Sequence, residues 1–549
     1  MSFSQKIRFS FFISILMAPV AILLGQSDSQ SPKLVVGIVV DQMRYDYLSK
    51  FSEHFTEGGF NRIIDEGFFC KNNYLNYVPT NTGPGHAAIY TGTTPSNHGI
   101  MSNSWYDVKA GEGLYCVYDP SVEPIGTGSK SERKSPKNLL VNTIGDVNRQ
   151  ETAMKGKTIS ISIKDRAAVI SGGHNANAAY WFKGKRQGHW ISSSYYVEKL
   201  PKWVHSFNDS KQLDAYMIAW TTLYDINSYT QSGPDDRRFE RGFKGKEAPT
   251  FPYDLAALSE ENGGFDLLKS TPFGNSYTLD FATAALKGEK LGRDAHTDFL
   301  LISLSSTDYI GHNFGANSKE IQDTYVRLDH DLEKFLMALD AQLGKGNYTL
   351  FLTSDHGATE NPNYLNENSK PGGYFKEGTF KNELREYVYN LYGTTEVIRN
   401  ISGNQVYLNK ELMESMKLTN SKVEDTIQQF ILNQPQIATA LTRTQFLTQN
   451  FTEGLEGLMQ NGFHIDRSGD ILYVLKPSVV VYAETGSTHG SGYEYDTHVP
   501  LLFYGKGIKK GSTLKTTHNT DIVPTLTTLL KLSLPNGATG LPIIQALKE

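Results

Sequence analysis

A hydroxyl residue directly before Gly-Pro-Gly is the first feature of this sequence that could do chemistry. Residues 77–86 read Tyr-Val-Pro-Thr-Asn-Thr-Gly-Pro-Gly-His, and residues 87–90, which can start a helix, follow them. Gly and Pro favour a tight turn here, which would place a Thr hydroxyl at a helix N-terminus. Backbone N–H groups and the helix dipole favour an anion at such a place. The segment is typical of a nucleophile for phosphate or sulfate, although a Thr beside Gly-Pro is also a common helix cap.

Three stretches of the buried-strand type are each followed by side chains that can bind a metal ion. Residues 33–40, 297–304 and 347–353 are rich in apolar and β-branched residues, which is typical of strands buried on both faces of a parallel sheet. The residues that follow them are Asp41 after the first, Asp308 and His312 after the second, and Asp355 and His356 after the third. Open α/β sheets bind ligands at the carboxyl ends of their strands, so we expect these side chains to lie close together.

Spacing and residue type divide these side chains into two predicted metal sites. Asp308 and His312 are four residues apart and would share one face of a helix, although an N-cap Asp and a surface His would give the same spacing. Carboxylate and imidazole together suit Zn²⁺. The predicted groups are Asp41, Asp355 and His356 for one ion, and Asp308, His312 and His489 for the other. Two metal ions about 3.5–4 Å apart can hold the attacking and leaving oxygen atoms of an in-line displacement.

Two cations follow a fourth predicted strand, residues 158–163. Lys164 and Arg166 would point the same way on an extended segment, which suits a forked grip on phosphate oxygen atoms. A solvated strand end, with Asp165 as the local counter-charge, explains the same pattern. Asn103 is polar and close in sequence to the candidate nucleophile, but it could equally be a turn residue.

The N-terminus has the pattern of a secretory signal peptide over residues 1–25. Lys6 and Arg8 precede the apolar stretch 9–24, and Gly25 and a polar linker follow it. A retained membrane anchor is the alternative, but the stretch is short and interrupted for a span of about 20 residues. We therefore expect an exported protein, periplasmic or secreted, without a stable membrane anchor.

Length and charge limit the function classes that remain. A chain of 549 residues is too long for one simple core, so we expect one large domain over residues 26–549, with insertions at about 175–295 and 360–475. Removing the leader changes the formal charge from −5 to −7, because its two charged residues are basic. A mildly acidic protein is not expected to bind nucleic acid as its main task. Cys70 and Cys116 are too few for a disulfide framework, and the sequence leaves their pairing open.

Seven motifs together resemble the alkaline phosphatase superfamily, and within it the PafA-type bacterial alkaline phosphatases, whose core is similar to that of nucleotide pyrophosphatases. The motifs are GIVVDQMR at 37–44, PTNTGPGH at 79–86, NHGI at 97–100, SIKDRAA at 162–168, STDYIGH at 306–312, SDHG at 354–357 and THG at 488–490. They span most of the chain after the leader. The resemblance implies an α/β fold with a largely parallel sheet, helices on both faces and inserted cap subdomains.

The resemblance also implies an activity and a role for each site residue. It implies an exported phosphomonoesterase with two Zn²⁺ per chain, acting on small-molecule phosphate monoesters through a phospho-threonine intermediate. We expect the enzyme to be a monomer. Thr82, rather than Thr80, takes the position of the nucleophile. The implied metal-site residues are Asp41, Thr82, Asp308, His312, Asp355, His356 and His489, and the implied contacts to phosphate oxygen atoms are Asn103, Lys164 and Arg166.

Several related or unrelated functions fit the sequence less well. A phosphodiesterase or nucleotide pyrophosphatase would share the core and the metal ligands, and Lys164 and Arg166 are the features that argue against it. A sulfatase would need a Cys-x-Pro-x-Arg motif, which neither cysteine provides. A cofactor-independent phosphoglycerate mutase uses a Ser nucleophile in the cytoplasm. A binding protein with a decayed phosphatase core would not need the complete set of ligands and nucleophile.

Overall fold

The computed structural model describes residues 31–548, so the predicted leader at residues 1–25 lies outside the described residues. The strands are β1 Leu34–Val40, β2 Phe68–Cys70, β3 Asn73–Tyr74, β4 Ser104–Asp107, β5 Glu112–Tyr115, β6 Pro124–Ile125, β7 Thr158–Ser162, β8 Ala178–Lys183, β9 His189–Ser193, β10 Ala219–Trp220, β11 Tyr253–Asp254, β12 Asp298–Leu304, β13 Tyr348–Thr353, β14 Gly373–Tyr374, β15 Ile398–Ser402, β16 Gln405–Leu408, β17 Ile437–Thr442, β18 Ile471–Leu475, β19 Val479–Val480, β20 Leu501–Gly505, β21 Gly511–Thr513 and β22 Thr517–His518.

The α-helices range from one turn to seven turns in length. They are α1 Tyr47–Lys50, α2 Phe60–Glu66, α3 Thr82–Thr91, α4 Pro95–His98, α5 Ile144–Glu151, α6 Asp165–Gly172, α7 Lys202–Asn208, α8 Leu255–Leu258, α9 Phe273–Gly288, α10 Ser306–Phe314, α11 Lys319–Leu343, α12 Pro362–Glu367, α13 Glu377–Tyr392, α14 Lys410–Ser415, α15 Asn420–Leu432, α16 Arg443–Thr448, α17 Gly454–Gly462, α18 Glu494–Thr497 and α19 Ile522–Leu530.

A ten-stranded sheet organises the fold, with strand order β21-β2-β20-β13-β1-β12-β7-β8-β9-β6. The five central strands, from β13 to β8, are parallel to one another. Antiparallel strands β20 and β9 border this parallel block. The four strands predicted from the sequence all lie within the block, so the predicted largely parallel α/β fold is confirmed. Their carboxyl ends meet at one edge of the sheet, which is where the predicted site residues follow.

Strand β1 is buried on both faces because helices cover both sides of the sheet. Val36 and Ile38 belong to an apolar cluster that includes residues of α9 and α11. Val35 and Val39 point to the opposite face, where α3 and α19 contribute to a second cluster. This arrangement explains why the strand sequence is continuously apolar rather than alternating.

The two expected insertions differ in how much of the main fold they contain. The region 175–295 includes β8 and β9, which belong to the ten-stranded sheet, and α9, which packs on its face. Between β9 and α9 the chain forms short elements. The region 360–475 holds a separate four-stranded sheet, β15-β16-β18-β17, with an apolar cluster of its own. Its helix α15 contributes Val423, Ile427 and Ile431 to that cluster. The insertion boundaries themselves stay a prediction.

Two further sequence questions concern the cysteines and the membrane. Cys70 and Cys116 are both buried, unpaired thiols, and they lie in different apolar clusters. Within residues 31–548, no helix has both the length and the apolar character needed to cross a membrane.

Ile302 in β12 provides a test of how much the central sheet contributes to stability. Its side chain is completely buried, so Ile302→Ala removes apolar contacts and leaves a cavity. We expect the free energy of unfolding to fall by about 2–5 kcal/mol, measured by urea denaturation followed by circular dichroism. Leu534→Ala is the matched control, because that leucine is 53% exposed, and its effect should stay within about 0.5 kcal/mol. Equal effects of the two substitutions would contradict the assignment of β12 to the core.

Candidate active site

Thr82 is the first residue of α3, so its hydroxyl lies at a helix N-terminus as predicted. The prediction of a tight turn before the helix is wrong, because Gly83, Pro84 and Gly85 form the first turn of α3 itself. Pro is tolerated there because the first N–H groups of a helix have no partner within the helix. Gly85 allows close packing, since a Cβ at this position would lie 2.6 Å from the Asp355 Cβ. The short motif therefore brings the nucleophile candidate against a metal-ligand candidate.

Lys164 and Arg166 both reach the Thr82 hydroxyl. The Lys164 Nζ lies 3.4 Å from Thr82 Oγ1, and the Arg166 Nη2 lies 3.3 Å from the same atom. The expected extended geometry is wrong, because Lys164 is the N-cap of α6 and Arg166 lies in its first turn. The two side chains converge all the same, since they leave the end of β7 toward α3.

The carboxylate between these cations is bound elsewhere. Asp165 Oδ1 accepts a 2.5 Å hydrogen bond from the Tyr115 Oη, and its Oδ2 lies 2.9 Å from the Lys134 Nζ. Lys164 is 3% exposed, which excludes a solvated strand end. Asp165 therefore leaves the charge of Lys164 available to the buried site.

Asn103 lies beside the nucleophile candidate and contacts its helix. The Asn103 Oδ1 accepts a 2.7 Å hydrogen bond from the backbone N–H of Gly83. This bond fixes the amide so that its NH₂ group is the part that is free to donate. The third predicted phosphate contact is thus adjacent to Thr82, with a donor group available.

Within residues 31–548, two groups of three metal-binding side chains have donor atoms within 4.8 Å of one another. One group is Asp308, His312 and His489, as predicted from the sequence. The other group is Asp41, Asp308 and His356, so Asp308 belongs to both. Asp355, expected in this second group, lies next to it, with its Oδ2 3.6 Å from the His356 Nε2.

The three histidines share one orientation. The Nδ1 of His312 lies 2.8 Å from the Ser487 carbonyl oxygen, that of His356 3.0 Å from Gly357, and that of His489 2.7 Å from Thr80. A carbonyl oxygen only accepts hydrogen bonds, so each Nδ1 carries a proton, and in the neutral form of each ring the Nε2 keeps its lone pair. The Nε2 atoms face carboxylate oxygen atoms at 3.3–3.6 Å. Histidine ligands of metal ions are typically oriented in this way.

Buried polar atoms without partners mark the centre of the site. Among the described residues, Asp41 Oδ1, Asp355 Oδ2 and His356 Nε2 are buried and have no hydrogen-bond partner. A lone pair facing carboxylate oxygen atoms has no attraction to them unless a cation lies between. The imidazole and carboxylate donor set is that of Zn²⁺ sites. These residues therefore fit a metal ion of that kind.

One buried ammonium group, that of Lys164, partly compensates the negative charge of the carboxylates at the site. Burial and the Asp355 carboxylate raise the pKa of Asp41 to about 6. Burial disfavours the Lys164 ammonium, but the Asp308 and Asp41 carboxylates raise its pKa above the ordinary lysine value. Its Nζ lies 2.5 Å from Asp308 Oδ2 and 2.7 Å from Asp41 Oδ2, so it is a cation at neutral pH.

The histidines differ in their protonation. Burial and the neighbouring His356 ring lower the pKa of His489 well below its ordinary value. His489 is therefore neutral at pH 7, which is the form that binds metal ions. Burial lowers the pKa of His312 as well, but the Asp308 carboxylate raises it above the ordinary value overall. In protonated His312 the Nε2 carries a second proton, which would be displaced when a cation binds there.

Sequence reasoning assigned no role to two residues that position the ligands. Gln42 donates from Nε2 to Asp308 Oδ1 at 2.8 Å and from its backbone N–H to Asp355 Oδ1 at 3.3 Å. The His86 ring lies between the Thr82 carbonyl oxygen and the Ser303 Oγ, at 2.9 Å from each. In the sequence, Gln42 is marked only by its position next to Asp41, and His86 only by its four-residue spacing from Thr82. A further histidine, His498, stacks between two tyrosine rings outside the site.

A cavity of about 200 Å³ lies beside the site, between the main core and the sheet of the second expected insertion. Asn81 and His489 line it on the site's side, and Leu472 and Val474 of β18 line the far wall. No Lys or Arg is among its lining residues in the described part of the chain. The cavity can therefore accept an uncharged group next to the nucleophile candidate.

The shared position of Asp308 leads to a prediction about metal content. Asp308→Asn should reduce binding at both sites, because its carboxylate belongs to both groups, whereas His489→Ala should reduce binding at one. We expect elemental analysis after dialysis to find a loss of both ions in the first variant and of about one in the second. His498→Ala is the control and should retain the wild-type content. A loss of one ion in both variants would contradict the shared role of Asp308.

Comparisons with known proteins agree on one family. Residues 35–499 match the family model described as type I phosphodiesterase / nucleotide pyrophosphatase. A protein of Myroides odoratus named calcium-transporting ATPase is 43% identical over 532 residues, which are 96% of this chain and 97% of that protein. Alkaline phosphatase PafA of Elizabethkingia meningoseptica is 42% identical over 521 residues, 94% of each chain.

Structural comparison gives the same result. A crystal structure of wild-type alkaline phosphatase PafA superposes with a TM-score of 0.90 at 40% identity, covering 94% of this chain and 99% of that one. The predicted resemblance and the predicted class of enzyme, an alkaline phosphatase, are confirmed by these relatives. The chain therefore belongs to the type I phosphodiesterase / nucleotide pyrophosphatase family, as a PafA-type member of the alkaline phosphatase superfamily.

Proposed function

We propose that this protein is an exported, zinc-dependent alkaline phosphatase that hydrolyses small-molecule phosphate monoesters through a phospho-threonine intermediate. Relatives that are 42% and 41% identical over 94% of the chain carry the name alkaline phosphatase, which supports the reaction class. The signal-peptide pattern of residues 1–25 supports export to the periplasm or the exterior. We further propose that the protein acts as a monomer, without a stable membrane anchor and without binding nucleic acid.

The observation that carries the proposal is the convergence of two cations on one hydroxyl oxygen. The Lys164 ammonium and the Arg166 guanidinium both lie within 3.5 Å of Thr82 Oγ1. Burial disfavours the Arg166 cation, but Tyr115 and Tyr309 raise its pKa well above the ordinary value, so it stays charged. A phosphate monoester dianion has one more negative charge on its transferred group than a diester has. Two fixed cations at the nucleophile therefore favour the monoester.

The side chains proposed to hold two Zn²⁺ are those brought together at the edge of the sheet: Asp41, Thr82, Asp308, His312, Asp355, His356 and His489. When bound, the ions would supply positive charge that favours an ionised nucleophile and stabilises negative charge on the transferred group and the leaving oxygen. The unpartnered Asp41 Oδ1, Asp355 Oδ2 and His356 Nε2 support this assignment.

The residues of the chain would then carry out the reaction in two successive steps. Thr82 Oγ1 attacks phosphorus and loses its proton, the ester P–O bond breaks, and the alcohol leaves with a proton. Water next attacks the phospho-threonine, which releases inorganic phosphate and restores the hydroxyl. Lys164, Arg166 and the Asn103 amide hold the phosphoryl oxygen atoms in both steps, so catalysis is mostly positioning and electrostatics.

The cavity beside Asn81 and His489 supports a proposal for the substrate class. Its far wall is apolar and no Lys or Arg of residues 31–548 lines it, so it suits an uncharged leaving alcohol rather than a second phosphate group. We therefore propose simple alkyl and aryl monoesters as the substrate class.

A phosphodiesterase is the second candidate, because the family model that matches the chain is described by that activity. Such an enzyme would use the same nucleophile and metal ligands. The buried position of Lys164, which places an extra cation against Thr82, favours the monoesterase instead.

Thr82→Ala tests the covalent intermediate. Without the hydroxyl no phospho-enzyme can form, so phosphate labelling under acid quench should be abolished, while zinc content should stay close to the wild-type value. Thr82→Ser is the matched control and should retain labelling. Loss of zinc from the alanine variant, with labelling unchanged, would mean that Thr82 is structural and that another residue is the nucleophile.

The Lys164 and Arg166 assignment is tested by comparing an aryl phosphate monoester with the matching diester. The zinc-loaded wild type should prefer the monoester in kcat/KM. Lys164→Ala with Arg166→Ala should reduce the monoester kcat/KM by at least about 100-fold more than the diester value, because two charge-assisted contacts are lost.

Two outcomes would decide against this reading. A wild-type preference for the diester would move the enzyme to the phosphodiesterase function. Equal losses on both substrates in the double variant would refute the proposed role of the two cations. Lys134→Ala, which removes a cation that pairs with Asp165 rather than with Thr82, provides the charge-matched control.

A further inference from the structure

A second set of buried carboxylates without partners lies away from the active site. Glu240, in the segment between β10 and β11, is 6% exposed, and Glu320, in the first turn of α11, is completely buried. Both carboxylate oxygen atoms of Glu240 and the Oε2 of Glu320 have no hydrogen-bond partner among the described residues. Asp235 nearby leaves its Oδ1 in the same state. In this cluster, four buried carboxylate oxygen atoms therefore have no hydrogen-bond partner within residues 31–548.

The cations around this cluster form no ion pair with either glutamate in the described residues. The Lys319 Nζ donates to the Tyr229 carbonyl oxygen at 2.8 Å. Lys246 lies over the Tyr253 ring at 5.2 Å. Arg237 stacks on two aromatic rings at 5.4 Å, and its charge opposes the rise in the pKa of Glu240 without cancelling it. Neither Glu240 nor Glu320 forms an ion pair with a side chain in residues 31–548.

Electrostatics shows how unfavourable two bare carboxylates would be here. Burial and the Glu320 carboxylate raise the pKa of Glu240 to about 10. Burial, with smaller contributions from Asp235 and Asp323, raises the pKa of Glu320 to about 8. Either a proton or a bound cation must therefore be present at neutral pH.

The surroundings favour a cation that loses its water readily. The Tyr253 Oη donates to Glu320 Oε1 at 2.6 Å, so one oxygen of the pair is already oriented. The Tyr253 ring packs against Trp220, Phe243, Phe251 and Phe314 at 5.3–5.7 Å. This aromatic shell disfavours Mg²⁺, which usually keeps several waters, and a pair of carboxylates suits a hard cation better than Zn²⁺, which prefers nitrogen and sulfur donors.

We propose that Glu240 and Glu320 bind a calcium ion, with Asp235 adding negative charge and with backbone oxygen or water completing the coordination. The site uses two carboxylates directly, so it differs from the two three-residue groups of the active site. Calcium accepts such mixed oxygen coordination because its geometry is flexible.

The proposed ion would fasten the segment that supports the His312 side of the active site. Three backbone hydrogen bonds tie residues 231–241 to that region: Gly233 N–H to Asn317, Arg241 N–H to Asn313, and Gly486 N–H to Phe239. Asn313 follows His312, and Ser487, which follows Gly486, accepts the His312 Nδ1 hydrogen bond. Calcium would therefore stabilise the loop that fixes the orientation of His312, without contacting substrate.

The experiment measures bound calcium and thermal stability in the full zinc-loaded protein. Samples are dialysed against buffered free calcium at fixed free zinc, then analysed for elemental content and for Tm. We expect one calcium per chain and a calcium-dependent rise in Tm on the order of 3 °C. The Glu240→Gln, Glu320→Gln double variant should lose both the calcium and the Tm response. Glu424→Gln, a buried carboxylate near Lys410, should lose neither.

Several results would overturn the proposal. If the two glutamates share a proton instead, the wild type will retain no calcium, and the glutamine variant will be as stable as the wild type or more so. Retention of Mg²⁺ in place of calcium would refute the identity of the ion. Should the double variant fail to fold, the wild-type calcium titration still decides, because no bound calcium and no change in Tm would refute the site.

Discussion

The active site depends on the concentration of negative charge among side chains that are almost completely buried. The Asp308 carboxylate accepts a hydrogen bond from Gln42, pairs with the Lys164 ammonium, and faces the Nε2 atoms of His312 and His489. Asp41 and Asp355 add two more buried carboxylates beside it. Such a cluster is stable only if positive charge is built into it or bound by it. The same requirement gives the site its affinity for cations and for a phosphate dianion.

The scaffold meets this requirement by bringing separate parts of the chain to one edge of a sheet. Parallel strands β1, β12 and β13 end side by side, so Asp41, Asp308 and Asp355 lie together without long loops. Close approach is possible because small residues stand at the contacts. A Cβ at Gly311 would lie 1.9 Å from Gln42 Oε1, and Gly85 gives the same freedom opposite Asp355.

The buried acidic side chains of this protein have different roles. Asp165 is paired with Lys134 and with Tyr115, so it is structural and leaves Lys164 free to act at the site. Among the described residues, Asp41 and Asp355 keep oxygen atoms without hydrogen-bond partners, and so do Glu240 and Glu320 in a distant part of the fold. Burial alone is common to all of them. The presence or absence of a partner is what separates a structural carboxylate from one that is prepared to bind a cation.

The sequence by itself determined the strands, the order of the motifs and the types of metal-binding side chain. Continuous apolar runs specify buried parallel strands, and the ends of such strands specify where ligands gather, so Asp41, Asp308 and Asp355 could be located in advance. The four-residue spacing of Asp308 and His312 specified a shared helix face, which α10 provides. These features depend on local periodicity and on short-range geometry, which a sequence contains.

Tertiary structure alone decided how these residues share their partners. The placement of Asp308 in both metal groups, the bridging role of Gln42 and the pairing of Asp165 with Lys134 join residues that are far apart in the chain. The convergence of Lys164 and Arg166 followed from a helix start rather than from the extended segment that spacing suggested. Glu240 and Glu320 gave no sequence signal, because a carboxylate without a partner is defined by what the folded chain places around it. Hydrogen bonds and burial of this kind arise only when distant segments pack together, so no local pattern records them.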